Sequence, residues 1–523
     1  SSAQKRLYVL RQMDGGELSY NMPGAFSVDG PLDRVRLESA FKALIQRHES
    51  LRTGFYMRDG ELVQHVHKDV PFTLGYTEAS SEETDTLIHS FTRAFDLSQA
   101  PLLRVSLVKL QEERHLLLFD MHHIISDGVS IQILVEELTQ LYQGEQLPEL
   151  HIQYKDYAVW QREQSAREWQ DLEAYWLQTF EGELPVLDLP TDFQRPSVRS
   201  FEGSRIDFTL DESGNKAIQE LASRTGTTLY MVLLAAYSVL LHKYTGQKDI
   251  VVGSPVAGRP QAELEGIIGM FVNTLALRSY PAGEKTFHDY LLEVKETALK
   301  AFEHQDYPFE KLVEKLGVGR DVSRNPLFDT LLVLQNTEQE EQDMDGVHFT
   351  PYPMDTVTAK FDLSLNIEEK GAELAFGLEY STALYRRETV ERLATHLLRV
   401  LHAVAANPQV QLAEIDMITP EEKVQIIEVF NATATPYPRD KTIHELFAEQ
   451  VKRTPEQTAL VFGNVRLTYL ELEDKASRLA QTLRRLGTIR EQPVAIMGGR
   501  SIEMVVGMLA VLQAGGAYVP IDP

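Results

Sequence analysis

Three observations predict a mixed α/β protein of more than one domain. Along residues 1–417 the apolar residues switch repeatedly between helical spacing and strand-like alternation. The switching falls into two runs of comparable rhythm, 1–177 and 178–417, without a detectable sequence repeat between them. A stretch rich in Thr, Pro, Asn and Ala at 418–442 then reads as a linker before a shorter α/β piece, 443–523. With 523 residues, 43% hydrophobic and 24% charged, the chain can bury several separate cores.

In the first run, "RLESAFKALIQRHESL" places Leu37, Phe41, Leu44 and Ile45 at helical spacing, and "LRTGFYM" and "ELVQHVH" read as strands around the turn "RDG". "PLLRVSLVKL" and "RHLLLFDMHH" read as paired strands joined by "QEE". "VSIQILVEELTQLYQG" puts Ile131, Leu134, Val135 and Leu138 on one helix face and stops at Gly144. "MHHIISDGVS", 121–130, is therefore a strand, loop and helix junction.

The second run contains the strand "SRIDFTL", the almost wholly apolar helix "TLYMVLLAAYSVLLHKYTG", the buried strand "DIVVGSPVAG" and then "MFVNTLALRSY". Beyond the linker, "LTYLELEDKASRLAQTLRRLG", "PVAIMGG" and "EMVVGMLAVLQAGGAYVPIDP" alternate helix and strand and end on a strand, so the last domain is expected to be incomplete.

Composition excludes several classes of chemistry. Cysteine is absent, which removes disulfides, thiolate zinc sites and a cysteine nucleophile. A net charge of −26 argues against a nucleic-acid surface. No apolar run reaches the ~18 residues a membrane span needs, and "SSAQKRLYVLRQMDGG" lacks a secretory cleavage pattern, so cytoplasm is the default expectation.

On an extended strand, His123 would share a face with Met121 and Phe119, and His122 the other with Asp120. The two histidines then point apart and cannot share a metal, and no HExxH or carboxylate-rich loop completes a coordination shell. Two readings stay open for the junction. In one, His123 is a polar group at a strand tip, followed by helix-start amides near Gly128 and Val129 that can face developing negative charge, a geometry suited to acyl transfer. In the other, Asp127 is a helix N-cap and both histidines are ordinary packed residues.

"MHHIISDG" matches the HHxxxDG signature of nonribosomal peptide synthetase condensation domains. "SSAQKRLYVL", "RHESLRTGF", "YKDYAVW", "IGMFVNTLALR", "HQDYPFEKLV" and "RDVSRNPLFDTLLVLQN" resemble the family's other motifs in order, so the resemblance covers residues 1 to about 425. It implies two chloramphenicol acetyltransferase-like lobes, 1–177 and 178–417, with His123 in a central channel. It also implies that His123 is catalytic and that Asp127 is a buried structural carboxylate paired with an arginine; Arg278 and Arg6 are the candidates considered. His122 is expected to be structural, the Gly128 amide is a candidate oxyanion contact, and Asn273 and Asn336 are candidates to line the channel.

The chemistry implied is amide formation between carrier-bound thioesters. The substrates are presented on phosphopantetheine arms of upstream donor and downstream acceptor carrier domains, with no intrinsic cofactor. A thioester is already activated, and accordingly no GxSxG elbow is present. The rivals are an epimerisation domain of the same fold and a non-catalytic scaffold that docks carriers.

Residues 443–523 resemble the start of an amino-acid adenylation domain through "LTYLELEDKASRLA" and "LQAGGAYVPIDP". The phosphate loop and catalytic lysine of that family lie beyond this stretch, so no ATP chemistry is expected of it, and the rest of the adenylation domain is an expected partner. "MGGRSIEM" looks superficially like a phosphopantetheine attachment site, but Arg500 breaks that pattern and Ser501 reads as a helix-start residue.

Overall fold

A computed structural model describes all residues except 12–15, 164–168, 320, 336–341 and 355–357. It divides into two compact units, Ser1–Pro420 and Glu421–Pro523.

The first unit is built on two six-stranded sheets. The first sheet runs, in spatial order, Gln342–Met344, Val347–Pro351, Asn21–Asp29, Arg114–His122, Leu103–Gln111 and Gly75–Glu78. Arg114–His122 is central in it: antiparallel to both neighbours, it carries Leu116, Leu117 and Leu118, all buried. A continuous apolar run suits a strand covered on both faces. The helix Arg34–Arg47 buries Leu37, Phe41, Leu44 and Ile45 as their spacing requires. Asp33 caps it by accepting from the Val35 and Arg36 amides.

The second sheet runs Gly203–Leu210, Glu373–Ser381, Leu363–Lys370, Thr330–Gln335, Ile250–Val256 and Asn273–Ser279. Against it lies the helix Leu229–Thr245, buried on all sides from Met231 to Leu241, which explains its lack of a polar face. It ends at Gly246, whose φ of 71° needs a residue without a Cβ. Among the described residues no single helix is long and apolar enough to cross a membrane.

The expected cut at 177/178 does not separate the two cores. Trp169 and Trp176 pack in the second core, whereas Leu264, Ile267, Ile268, Met270, Phe271, Val347 and Phe349 pack in the first. The second half thus donates a strand pair and a loop to the first, and β-pairing of Val347–Pro351 with Asn21–Asp29 joins residues far apart in the chain. Hydrophobic periodicity reports which residues are buried and not which core receives them.

The expected linker contains a helix, Pro420–Val424, continued by a wider turn Gln425–Val429, and in the second unit regular structure resumes at Ile443. Helices Ile443–Arg453 and Tyr469–Arg485 both open on capping boxes, Thr442 with Glu445 and Thr468 with Glu471. Strands Pro493–Met497 and Ala517–Ile521 are parallel, joined through the helix Ile502–Ala514. Ser501 caps that helix by accepting from the Met504 amide, as its sequence context predicts.

Candidate active site

The central strand stops one residue earlier than an HH pair suggests. His122 is its last residue, with its amide donating to Leu102 O at 3.0 Å, and the His123 amide donates to Tyr20 O at 2.8 Å. The chain then turns through His123–Ile125, so the alternation of faces ends at His122 and the strand-face partners expected for His123 do not apply.

This turn gives the two imidazoles different chemistry. His122 is fully buried, and its Nδ1 accepts from the Ile124 amide at 3.0 Å, which puts the proton on Nε2. Desolvation, followed by the charges of His123, Arg11, Lys360 and Arg104, lowers its pKa to about 3. Its accepting nitrogen is spent on the backbone of the turn that follows.

His123 is half-buried. Its Nδ1 lies 2.8 Å from Ser126 O. A carbonyl only accepts, so Nδ1 carries the hydrogen and Nε2 keeps a lone pair. Desolvation, then the positive charge of Lys360, lowers the pKa to about 4, against an opposing pull from the Ser126 carbonyl and Asp127. At neutral pH the group is an uncharged hydrogen-bond acceptor at Nε2.

Asp127 is at once a helix N-cap and a buried, arginine-paired carboxylate. It caps the helix Gly128–Gln143 by accepting from the Ser130 amide at 2.8 Å, and its side chain is 0% exposed. Its arginine is neither Arg278 nor Arg6 but Arg259. The guanidinium Nη1 lies 3.0 Å from Oδ2 and Nη2 lies 3.0 Å from Oδ1, a two-pronged pair. The Phe271 amide also donates to Oδ2 at 3.0 Å, and the Ser130 hydroxyl accepts from the Gly269 amide at 3.0 Å. Arg259 lies over the Phe271 ring, 4.3 Å from its centroid.

Arg278 instead pairs with Asp249 at 2.7 Å and donates to Thr179 O, and Arg6 pairs with Glu310 at 3.4 Å. Arg6 lines a separate cavity of about 770 Å³ together with Arg199, Phe309 and Asn325. Arg259 was not legible because "AGRPQ" has no periodicity and pairing acts across the fold. The one local signal is Gly258, whose φ of +65° and tight approach to Phe271 O mark a turn only glycine accepts.

Gly128 opens the helix and is exposed, with open space where a Cβ would stand. The Ser130 and Ile131 amides are taken by Asp127, whereas those of Gly128 and Val129 have no acceptor among the described residues. The Gly128 amide therefore remains free to donate.

Asn273 uses its side-chain amide within the fold. Its Nδ2 donates to Gln305 O at 2.7 Å and Tyr307 O at 2.8 Å, and its Oδ1 accepts from the Phe309 amide at 3.1 Å. It clamps the turn ahead of the helix Phe309–Lys315. Asn336 lies outside the described residues. Among those residues, no group of three or more His, Asp or Glu side chains is placed to hold a metal.

Residues 1–427 match the condensation domain family, and 447–523 match the AMP-binding enzyme family. Tyrocidine synthase 3 of Brevibacillus parabrevis is 54% identical over all of this chain, and gramicidin S synthase 2 of Brevibacillus brevis is also 54% identical over all of it. The chain spans only 8% and 12% of those two relatives. Among solved structures, the four-domain nonribosomal peptide synthetase holo-AB3403, bound to AMP and glycine, superposes with a TM-score of 0.84 at 24% identity over all of this chain and 41% of that one. The X-domain from teicoplanin biosynthesis, solved in complex with OxyB, gives 0.74 at 26% identity over 80% of this chain and 95% of that one. The first condensation domain of the calcium-dependent antibiotic synthetase gives 0.68 at 22%, covering 80% and 98%.

Proposed function

The chain belongs to the condensation domain family of nonribosomal peptide synthetases, here followed by the start of an AMP-binding domain, and we propose that it joins a donor acyl or peptidyl thioester to the amine of an acceptor aminoacyl thioester. The observation that carries this reading is the lone pair at His123 Nε2, set by the Nδ1 contact to Ser126 O.

The acceptor nitrogen attacks the thioester carbonyl, a C–N bond forms, and the C–S bond breaks to release the donor's thiol. One proton leaves nitrogen and ends on sulfur. With a pKa of about 4, His123 is a weak base against a free α-amine near 8. Its role is to accept a hydrogen bond from the attacking amine and to relay the proton that the tetrahedral adduct sheds, while the free Gly128 amide faces the oxyanion. Tethering both substrates on carriers supplies proximity. The phosphopantetheine arms belong to the carriers, and the domain contributes no cofactor.

The order of domains supports condensation over epimerisation, since residues 1–427 lead into an AMP-binding start with no carrier-like stretch between. A docking role without chemistry draws on the X-domain likeness, because that fold is found in complex with a second protein. One experiment separates the three: single turnover with chemically loaded donor and acceptor carriers in deuterated water. Transfer without Cα exchange supports condensation. Cα deuteration without transfer overturns it in favour of epimerisation, and carrier binding with neither leaves the docking role.

A further inference from the structure

We propose that Tyr20 is a positioning residue for His123: its ring, seated against the imidazole at the end of the sheet ladder, fixes the direction in which the Nε2 lone pair is presented. The inference rests on the acyl-transfer reading above for its purpose, but not for its physical test.

The placement follows from strand register. Asn21 pairs with His122 at the end of two antiparallel strands, and Asn21 Nδ2 donates to Asp120 Oδ2 at 2.8 Å on the face those side chains share. One step further, the ladder sets Tyr20 opposite His123, and its final bond runs from the His123 amide to Tyr20 O at 2.8 Å. Residues opposed across an antiparallel ladder present their side chains to the same face, about 5 Å apart at Cβ. The Tyr20 and His123 rings accordingly meet, with centroids 6.5 Å apart and planes tilted by 59°.

The tyrosine is itself held. It is 7% exposed and packs in the first core. The Asn21 amide donates to Leu18 O at 3.0 Å, which closes the turn by which the chain enters the strand. From the second half of the unit, the Lys360 side-chain nitrogen stands over the ring, 5.2 Å from its centroid. The Lys360 backbone is fixed by its carbonyl, which accepts from Arg199 Nη1 at 3.3 Å and from Asn325 Nδ2 at 3.1 Å. The ring is therefore packed by both halves of the unit.

The imidazole has a use for such a neighbour. Its tautomer is set by the contact from Nδ1 to Ser126 O, and one hydrogen bond leaves a half-buried ring free to rock about that contact. An aromatic ring against its side removes that freedom without occupying Nε2, because the bond between Tyr20 and His123 is made by backbone alone. A displacement of about 1 Å in a reacting group costs on the order of a hundredfold in rate, so a loosened imidazole has a measurable consequence.

The test compares Tyr20→Leu, which keeps the backbone bond but removes the flat ring, with Tyr20→Phe, which keeps the ring. In single turnover with loaded carriers, Tyr20→Leu should lower the maximal rate by about ten- to a hundredfold at an unchanged half-saturating carrier concentration, and Tyr20→Phe should stay within about twofold of wild type. Nuclear magnetic relaxation of labelled histidine rings, with His123 assigned through His123→Gln, should report a rigid ring in wild type and Tyr20→Phe and a lower order parameter in Tyr20→Leu. A wild-type rate in folded Tyr20→Leu overturns the proposal. So does a rate loss with His123 ring order unchanged, which would mark a packing role alone, and so does an equal loss in Tyr20→Phe, which would assign the effect to the hydroxyl. Should Tyr20→Leu fail to fold, Tyr20→Met is read in the same way. The relaxation measurement needs no turnover, so a wild type that transfers nothing would count against the proposed function and leave this inference to be decided by ring order alone.

Discussion

Arg259 and Asp127 meet through two parallel hydrogen bonds of 3.0 Å, with side chains 4% and 0% exposed, at the point where a helix N-terminus of the first half receives a loop of the second. Both partners are also bonded elsewhere, Asp127 to the Ser130 and Phe271 amides and Arg259 to Ala257 O and Ile267 O. A buried pair so satisfied is costly to break from one side, because the survivor is left charged in a low dielectric.

Replacing either member alone, Asp127→Ala or Arg259→Leu, should therefore destabilise the first unit by roughly 3–5 kcal/mol in chemical denaturation. The double variant should cost less than the sum of the two. Arg259→Lys should rescue only partly, since an ammonium cannot match the two-pronged geometry. Strict additivity in the cycle would argue against the pair.

His123→Ala should lower acyl transfer by about 10²- to 10⁴-fold while leaving the denaturation midpoint near wild type. The motivation is that Nδ1 satisfies only a local carbonyl, whereas Nε2 is unengaged. Unaltered single-turnover rates would remove His123 from the mechanism.

His122 predicts the opposite split and a pH dependence. Its folded pKa, about 3, lies below the ordinary 6.5, so the unfolded chain binds the extra proton first as pH falls. The stability that depends on a neutral His122 is fully present above about 6.5 and is lost as pH drops toward 3. The stability gap between wild type and His122→Gln should accordingly narrow from pH 7 to pH 4. Asp120, pushed up to about 6 by burial, acts in the opposite sense but equally in both proteins. A pH-independent gap would show that His122 is not held neutral.

Asn273→Ala should cost about 1–3 kcal/mol by orphaning two carbonyls and an amide of the 305–309 turn. Because that turn leads into the helix bearing Glu310, the partner of Arg6, hydrogen exchange should rise there and not around His123.

Element by element, the chain alone determined the strand, turn and helix around the HH pair, the Gly144 and Gly246 stops, the wholly buried helix Leu229–Thr245 and the capping role of Ser501. Each is a local matter: apolar spacing, a left-handed glycine or a side chain reaching an amide three residues on. The HHxxxDG match pointed to His123 and Asp127, but not to Arg259 or to the clamp formed by Asn273. Those relationships are decided by tertiary structure, because charge pairing and desolvation depend on distance in space. Nothing in the chain around residue 259 records that the loop after Ile250–Val256 will bring its guanidinium to Asp127.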